Sequence, residues 1–245
     1  MKFKTKAMGV VFVSIISIIS SILSVQAYAF TVDKMVVIAD SKGNGVVTLV
    51  NDEENDIFVK AGIQEIEVFD GNDIRKKEYN RKNLKDWKIS LTKQRVILKP
   101  GEEQDVGIRS LCHNMTCDDS KDLMFMLPFA PSKYQPGVEA SGVEINYGFA
   151  PLYIIPTATP TYSYKMKNLG KSLVIENDSN TLLSVFVNAC ADRNSTLCKQ
   201  KLTVIAGRHK TFPLSESMQN DELEITVTSH DRSYSKSEVV MREAN

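Results

Sequence analysis

The chain reads as all-β, with two β-sandwich domains in tandem. Three observations predict that class. After Phe30 the 245-residue sequence runs in short strand-like segments separated by Gly, Pro and polar clusters, with hardly a helical stretch. The segment PTATPTYS, Pro156–Ser163, has the composition of a short stiff linker. Beyond it the strand pattern restarts, leaving pieces of about 127 and about 85–90 residues, each sized for one sandwich.

The first 29 residues stand apart from that pattern. Lys2, Lys4 and Lys6 form a basic start, Met8–Val25 is an apolar run, and Ala27-Tyr28-Ala29 supplies the small residues of a cleavage site. Residues 1–29 are therefore expected to be a signal peptide cleaved after Ala29. A retained anchor is the alternative, since about 18 apolar residues just span a bilayer. The domains that follow are residues 30–156 and 157–245.

Along the first domain, VVTLVN (46–51) is a strand after a Gly-containing turn. Asp56–Phe69 is a long strand whose apolar parity changes from Ile57, Val59, Ala61 and Ile63 to Ile66 and Val68, which predicts a bulge. Asp73–Lys82 (DIRKKEYNRK) is expected as a solvated loop. Strands follow in DWKISL (86–91) and in a hairpin about a Pro100-Gly101 turn in Arg95–Leu111. In DLMFMLPFAP (122–131), Leu123 to Leu127 and Phe129 are apolar without alternation. That pattern predicts a central strand covered on both faces, with a Met-rich partner-binding surface as the competing reading.

The second domain continues in YSYKMKN, SLVIEND, LLSVFVNAC, QKLTVIAG, HKTFPL, ELEITVT and SEVVM.

Charge and motif content narrow the function. Lys plus Arg equal Asp plus Glu at 30 each, and loss of the leader lysines leaves the mature chain slightly acidic. No basic stripe points to nucleic acid. Four cysteines form two close pairs, Cys112 with Cys117 and Cys190 with Cys198. In an oxidising compartment each pair most simply closes a local disulfide. Zinc is the rival, but only His113 lies nearby and a tetrahedral ligand set is missing, so no metal or other cofactor is expected. Ser90-Leu91-Thr92-Lys93 matches S-x-x-K without its helix or partner motifs and reads as a polar turn. His113, His209 and His230 each stand alone in loop-like settings. No catalytic residue is assigned, and the chain is not expected to be an enzyme.

The segment SGVEINYGFAPLYIIP, Ser141–Pro156, is the most informative. Val143, Ile145, Tyr147 and Phe149 alternate with polar or small residues as in a half-buried strand. From Ala150 to Ile155 it is apolar on both faces and carries Pro151, which requires a bulge or an edge position.

RVILKPGEEQDVGIR, then FMLPFAPSKYQPGVEASG, then an INYG…P…IIP strand running into a linker resemble the periplasmic pilus-assembly chaperones of the PapD-like family. The likeness runs from Phe30 to about Val240 and is strongest from Arg95 to Pro156. The EINYG start is closer to the family's archaic branch. The resemblance implies two immunoglobulin-like domains, a periplasmic location and no catalysis. It also implies a function in fimbrium biogenesis: donating a β-strand to pilus subunits that lack their last strand, and delivering them to an outer-membrane usher. The donor face it implies is Val143, Ile145, Tyr147 and Phe149, with Ala150–Ile155 buried in the first domain. A disulfide in the second domain recurs in some relatives.

One departure stands out. The family's best-studied branch anchors the subunit's terminal carboxylate with an arginine and a lysine, and the corresponding positions here are about Val36 and Pro151. The nearest basic candidates for that anchor are Lys34 and Arg109, for each of which a solvated surface role competes. The rival overall reading is a structural or adhesive surface protein of two immunoglobulin-like domains, because fold alone does not give function. A long apolar edge strand invites aggregation. The free protein is thus expected to self-associate through that edge, or to cover it with the loop from Pro131 to Glu139.

Overall fold

A computed structural model describes residues 30–112, 117–134, 147–190 and 195–243. The first domain contains β1 (Phe30–Val32), β2 (Val36–Ile38), β3 (Gly45–Asn51), β4 (Ile57–Ala61), β5 (Gln64–Phe69), β6 (Asp73–Glu78), β7 (Ile89–Leu91), β8 (Arg95–Leu98), β9 (Glu103–Ser110), β10 (Leu123–Met126), β11 (Phe129–Lys133) and β12 (Leu152–Ile155). The second contains β13 (Tyr164–Asn168), β14 (Ser172–Asn177), β15 (Leu183–Asn188), β16 (Lys199–Val204), β17 (His209–Pro213), β18 (Glu222–Thr228) and β19 (Ser235–Met241). The helical turns among the described residues, Leu84–Asp86 and Glu216–Met218, are short 3-10 turns. None of the helices described is long and apolar enough to cross a membrane.

In the first domain the sheet β1-β3-β9-β7 faces a second layer made of β2-β12-β10-β5-β6 and β11-β4-β8. In the second, β13-β14-β17 faces β16-β15-β18-β19. The alternating segments bury one side, as in Val47 and Leu49 of β3 or Leu223, Ile225 and Val227 of β18. Each domain has its own core: Leu49, Ile108, Phe125 and Tyr153 belong to the first, and Ile175, Val185, Leu223 and Ile225 to the second.

A third apolar cluster joins the domains. Ile66, Met124 and Ile154 of the first pack against Leu182 and Ala206 of the second. This contact accounts for the unalternating composition of β10. Leu123 and Phe125 enter the first core, whereas Met124 faces the second domain. β10 therefore lies mid-sheet and is covered on both faces, as its composition predicts.

The same contact corrects the expected bulge in Asp56–Phe69. Ala61 pairs with Phe129 and Gln64 with Met126, so three steps on one strand match three on the other and no residue is inserted. The parity changes because the covered face changes. Ile57, Val59, Ala61 and Ile63 point into the first core, while Ile66 and Val68 point to the second domain.

Three further expectations are revised. Asp73–Glu78 is not a loop but β6, a strand at the edge of its sheet that is exposed along its whole length. Its Arg75, Lys76 and Lys77 are typical of a protected edge. The segments around Pro100-Gly101 are strands, but β8 pairs with β4 and β9 with β3 and β7, so the turn crosses between layers rather than closing a hairpin. His209 opens β17, lies 2.8 Å from Asp178 and packs on Gly71, so it is neither solitary nor in a loop. Both predicted disulfides are formed, with Cα–Cα separations of 5.5 Å for Cys112–Cys117 and 5.2 Å for Cys190–Cys198.

Candidate functional site

The segment from Tyr147 to Ile155 is held progressively more tightly toward its C-terminal end. In β12, Tyr153 is buried in the first core and its hydroxyl donates to the Gly43 carbonyl at 2.6 Å. Burial raises the pKa of that hydroxyl, which stays protonated as a donor. Ile154, on the opposite face, lies against the second domain. Burial of Ala150–Ile155 is thus not confined to the first domain, and the doubly apolar pattern records two different coverings.

Pro151 has no N–H to give, but its carbonyl accepts from Leu127 N–H at 2.9 Å. The register passes through it without a bulge: Leu152 pairs with Met126 and Phe149 with Phe129, three steps on each strand. Phe149 and Phe129 exchange two backbone hydrogen bonds, of 2.7 and 3.1 Å. The Phe149 ring is half-buried against the first core, with its centroid 5.9 Å from that of Phe30.

Two residues earlier the packing ends. Tyr147 is 81% exposed. Among the four donor-face candidates, the structure places Phe149 on the rim of its own core and Tyr147 in the open. Val143 and Ile145 lie outside the described residues, as do His113 and residues 135–139 of the expected covering loop. Pro131–Lys133 of that loop is strand, the end of β11, which pairs with β4 on one edge. Its other edge meets, among the described residues, the Phe149 bridge.

The anchor candidates are not brought together. Lys34 follows β1 and forms an ion pair with Asp33 at 3.2 Å. Arg109 is exposed on β9 opposite Ser90, with β3 between β9 and β1. At the positions equivalent to the family's anchor, β2 runs parallel to β12 with Val36 opposite Leu152, and Leu152 N–H donates to the Met35 carbonyl at 2.9 Å. Met35 and Val36 are exposed there at 51% and 38%, an apolar ledge rather than a cationic one. Ser90 and Leu91 lie in β7, with Leu91 buried, so the expected polar turn does not begin at Ser90; no helix opens there either, and the S-x-x-K match lacks its context. No cluster of His, Cys, Asp and Glu among the described residues has the arrangement of a metal site.

Sequence reasoning passed over two contributors. Phe30, the first residue after the expected cleavage site, supports Phe149, and Phe129 holds its backbone. The available signal was Phe129 itself, apolar and in phase with Leu123, Phe125 and Leu127.

Comparison with known proteins agrees with this architecture. Solved structures similar to the chain include the class 5 fimbriae chaperone CfaA, at 12% identity and a TM-score of 0.52, covering 88% of this chain and 100% of that one. A chain from the Salmonella enterica complex of SafA pilin with the SafB chaperone matches at 11% identity and a TM-score of 0.53, covering 89% and 99%. A chain from the CsuC–CsuE pre-assembly complex of the archaic Csu pili of Acinetobacter baumannii matches at 12% identity and a TM-score of 0.50, covering 88% and 100%. At such identities the likeness establishes the fold, two immunoglobulin-like sandwiches. No curated protein matches the chain. The family profile described as CS5 fimbrial protein N-terminal domain matches residues 32–156, just over half of the chain. By that match, the chain belongs to the CS5 fimbrial protein N-terminal domain family.

Proposed function

We propose that the chain is an exported chaperone of pilus subunits, a binding protein rather than an enzyme, acting in the periplasm after removal of residues 1–29. Residues 30–156 form the domain that carries the donor strand, and residues 157–245 form the second domain. The partners are pilus subunits with an incomplete sheet, and an outer-membrane usher that receives them. One observation carries the reading. Phe149 is locked to Phe129 by two backbone hydrogen bonds, while Tyr147, on the same alternating face, is 81% exposed. A segment whose sequence continues an apolar alternation beyond the last residue seen on the rim of its own core suits β-augmentation, in which backbone bonds supply affinity and alternate side chains fill pockets.

The supporting magnitudes are adequate. Burial of Val143, Ile145, Tyr147 and Phe149 is worth roughly 6–12 kcal/mol gross at about 1.5–3 kcal/mol each, and association and ordering costs offset much of it. A complex that holds, yet can be exchanged for another strand, is the expected result. The similarity to a chain of a pilin–chaperone complex points the same way.

The test is co-expression of the full chain with secreted proteins encoded beside it, followed by pull-down. Wild type should retain a subunit. The double substitution Ile145→Asp with Tyr147→Asp should abolish capture while leaving the circular dichroism spectrum unchanged; undiminished co-purification would refute the donor face. Sedimentation should show the free protein either self-associated or monomeric with the edge covered, and an open monomer would contradict the expected protection of that strand.

A further inference from the structure

Three chain segments meet at one carboxylate. Asp122, immediately before β10, is 2% exposed. Its Oδ1 accepts from the Thr157 N–H of the linker at 3.0 Å. Its Oδ2 accepts from the Leu182 N–H at 2.8 Å and the Thr181 hydroxyl at 3.1 Å, both in the second domain. Its own N–H donates to the Asn180 carbonyl at 2.9 Å. Around it the Asn180 side chain continues the stitching. Nδ2 donates to the Ser120 and Thr159 carbonyls, and Oδ1 accepts from Thr161 N–H.

We infer that Asp122 is a positioning residue that fixes the angle between the two domains. The apolar contact of Ile66, Met124 and Ile154 with Leu182 and Ala206 is non-directional, so it favours closeness without selecting an orientation. Hydrogen bonds weaken steeply away from linearity, and an ionised carboxylate accepts on both oxygens at once. Three donors on one buried carboxylate therefore select one arrangement of linker and second domain.

A second attachment lies at the β5–β6 turn. There the Gly71 carbonyl accepts from His209 N–H at 2.7 Å, and the Asn72 carbonyl accepts from the Arg208 guanidinium. Two pins on one apolar pad leave little freedom of rotation.

The chemistry of Asp122 suits positioning better than stabilisation. Among the described residues Asp122 forms no ion pair, although His230 lies near enough to favour its charged form: Lys121 beside it is paired with Glu67, and Asp178 across the contact is paired with His209. Burying an uncompensated carboxylate is costly, and an apolar side chain would avoid the cost while giving up the directional bonds.

The experiment compares the complete mature chain as wild type, Asp122→Asn and, as a control, Ile66→Val. Residual dipolar couplings report whether both domains fit one alignment tensor, and calorimetry reports the melting temperature. Wild type should fit a single tensor. Asp122→Asn keeps the size but turns an NH2 group toward the donors; it should require separate tensors with its melting temperature held or raised. Ile66→Val trims the pad and should lower the melting temperature with the single tensor kept. A single tensor in Asp122→Asn would overturn the inference, as would a lowered melting temperature with orientation unchanged. Should that variant fail to fold, Thr181→Val decides, with a single tensor again the refuting result. No subunit is needed, so this outcome is independent of the chaperone reading.

Discussion

At the scale of single residues, the placement of each polar group against an apolar background is what gives it a consequence. Burial pushes the Asp122 carboxyl above its ordinary pKa, outweighing the hydrogen bonds from Thr157, Leu182 and Thr181 that pull it down. The folded chain then holds that proton more tightly than the unfolded chain does. The contribution of the group to stability is fully present below the unfolded value, about pH 4, and is lost as pH rises through the folded one. Asp122→Asn removes this titration. In urea unfolding between pH 4 and 7, the difference between the variant and wild type should shift in favour of the variant as pH rises, because other carboxylates cancel in the comparison. A flat difference would mean that the hydrogen bonds match the desolvation cost.

At the scale of elements, the two-sided sheet makes a prediction that a solitary sandwich would not. Met124 points away from the first core, and on an isolated domain its truncation would change stability by no more than about 0.5 kcal/mol. Because its side chain is buried against the second domain, Met124→Ala should instead cost about 2–5 kcal/mol in urea unfolding, comparable to other buried truncations. The strands themselves were legible in the sequence because the one-sided ones alternate: Val47 and Leu49, or Leu223, Ile225 and Val227, state their buried face directly. Which distant part of the chain supplies a second covering was not legible, even where, as in β10, the composition showed both faces to be covered. Ile66, Val68 and Ile154 changed parity for a reason located some 30 to 140 residues away in sequence, at Leu182 and Ala206, and a local reading could only interpret that as a bulge. One recurring signal went unused. VTLVND and LVIEND each end a strand in a buried asparagine, Asn51 and Asn177, whose Nδ2 donates to a strand-end carbonyl, Leu98 or Val204 respectively. Each also accepts a backbone N–H two residues on, from Glu53 and Ser179. The candidate donor segment was legible only as alternation, since nothing in the spacing of Val143 to Phe149 records that the Phe149 ring rests against Phe30.

At the scale of the whole molecule, the second domain acts as the missing outer layer of the first. The sheet β2-β12-β10-β5-β6 carries Ile38, Ile154, Met124 and Ile66 in one row, paired strand to strand, on the face turned to the second domain. Residues 30–156 expressed alone would present that row to water beside the candidate donor strand. A contiguous apolar patch next to an open strand edge is an aggregation hazard. The truncated chain should therefore bind a hydrophobic dye and aggregate at concentrations where the full chain stays dispersed. Adding Met124→Thr and Ile154→Thr should restore dispersion, because both side chains face the removed domain while Phe125 and Tyr153 still fill the first core. If the truncated chain is dispersed without those changes, the second domain is not needed as a cover. If the two substitutions fail to rescue it, the hazard lies in the donor strand, and Ile145→Asp with Tyr147→Asp becomes the substitution that should disperse it.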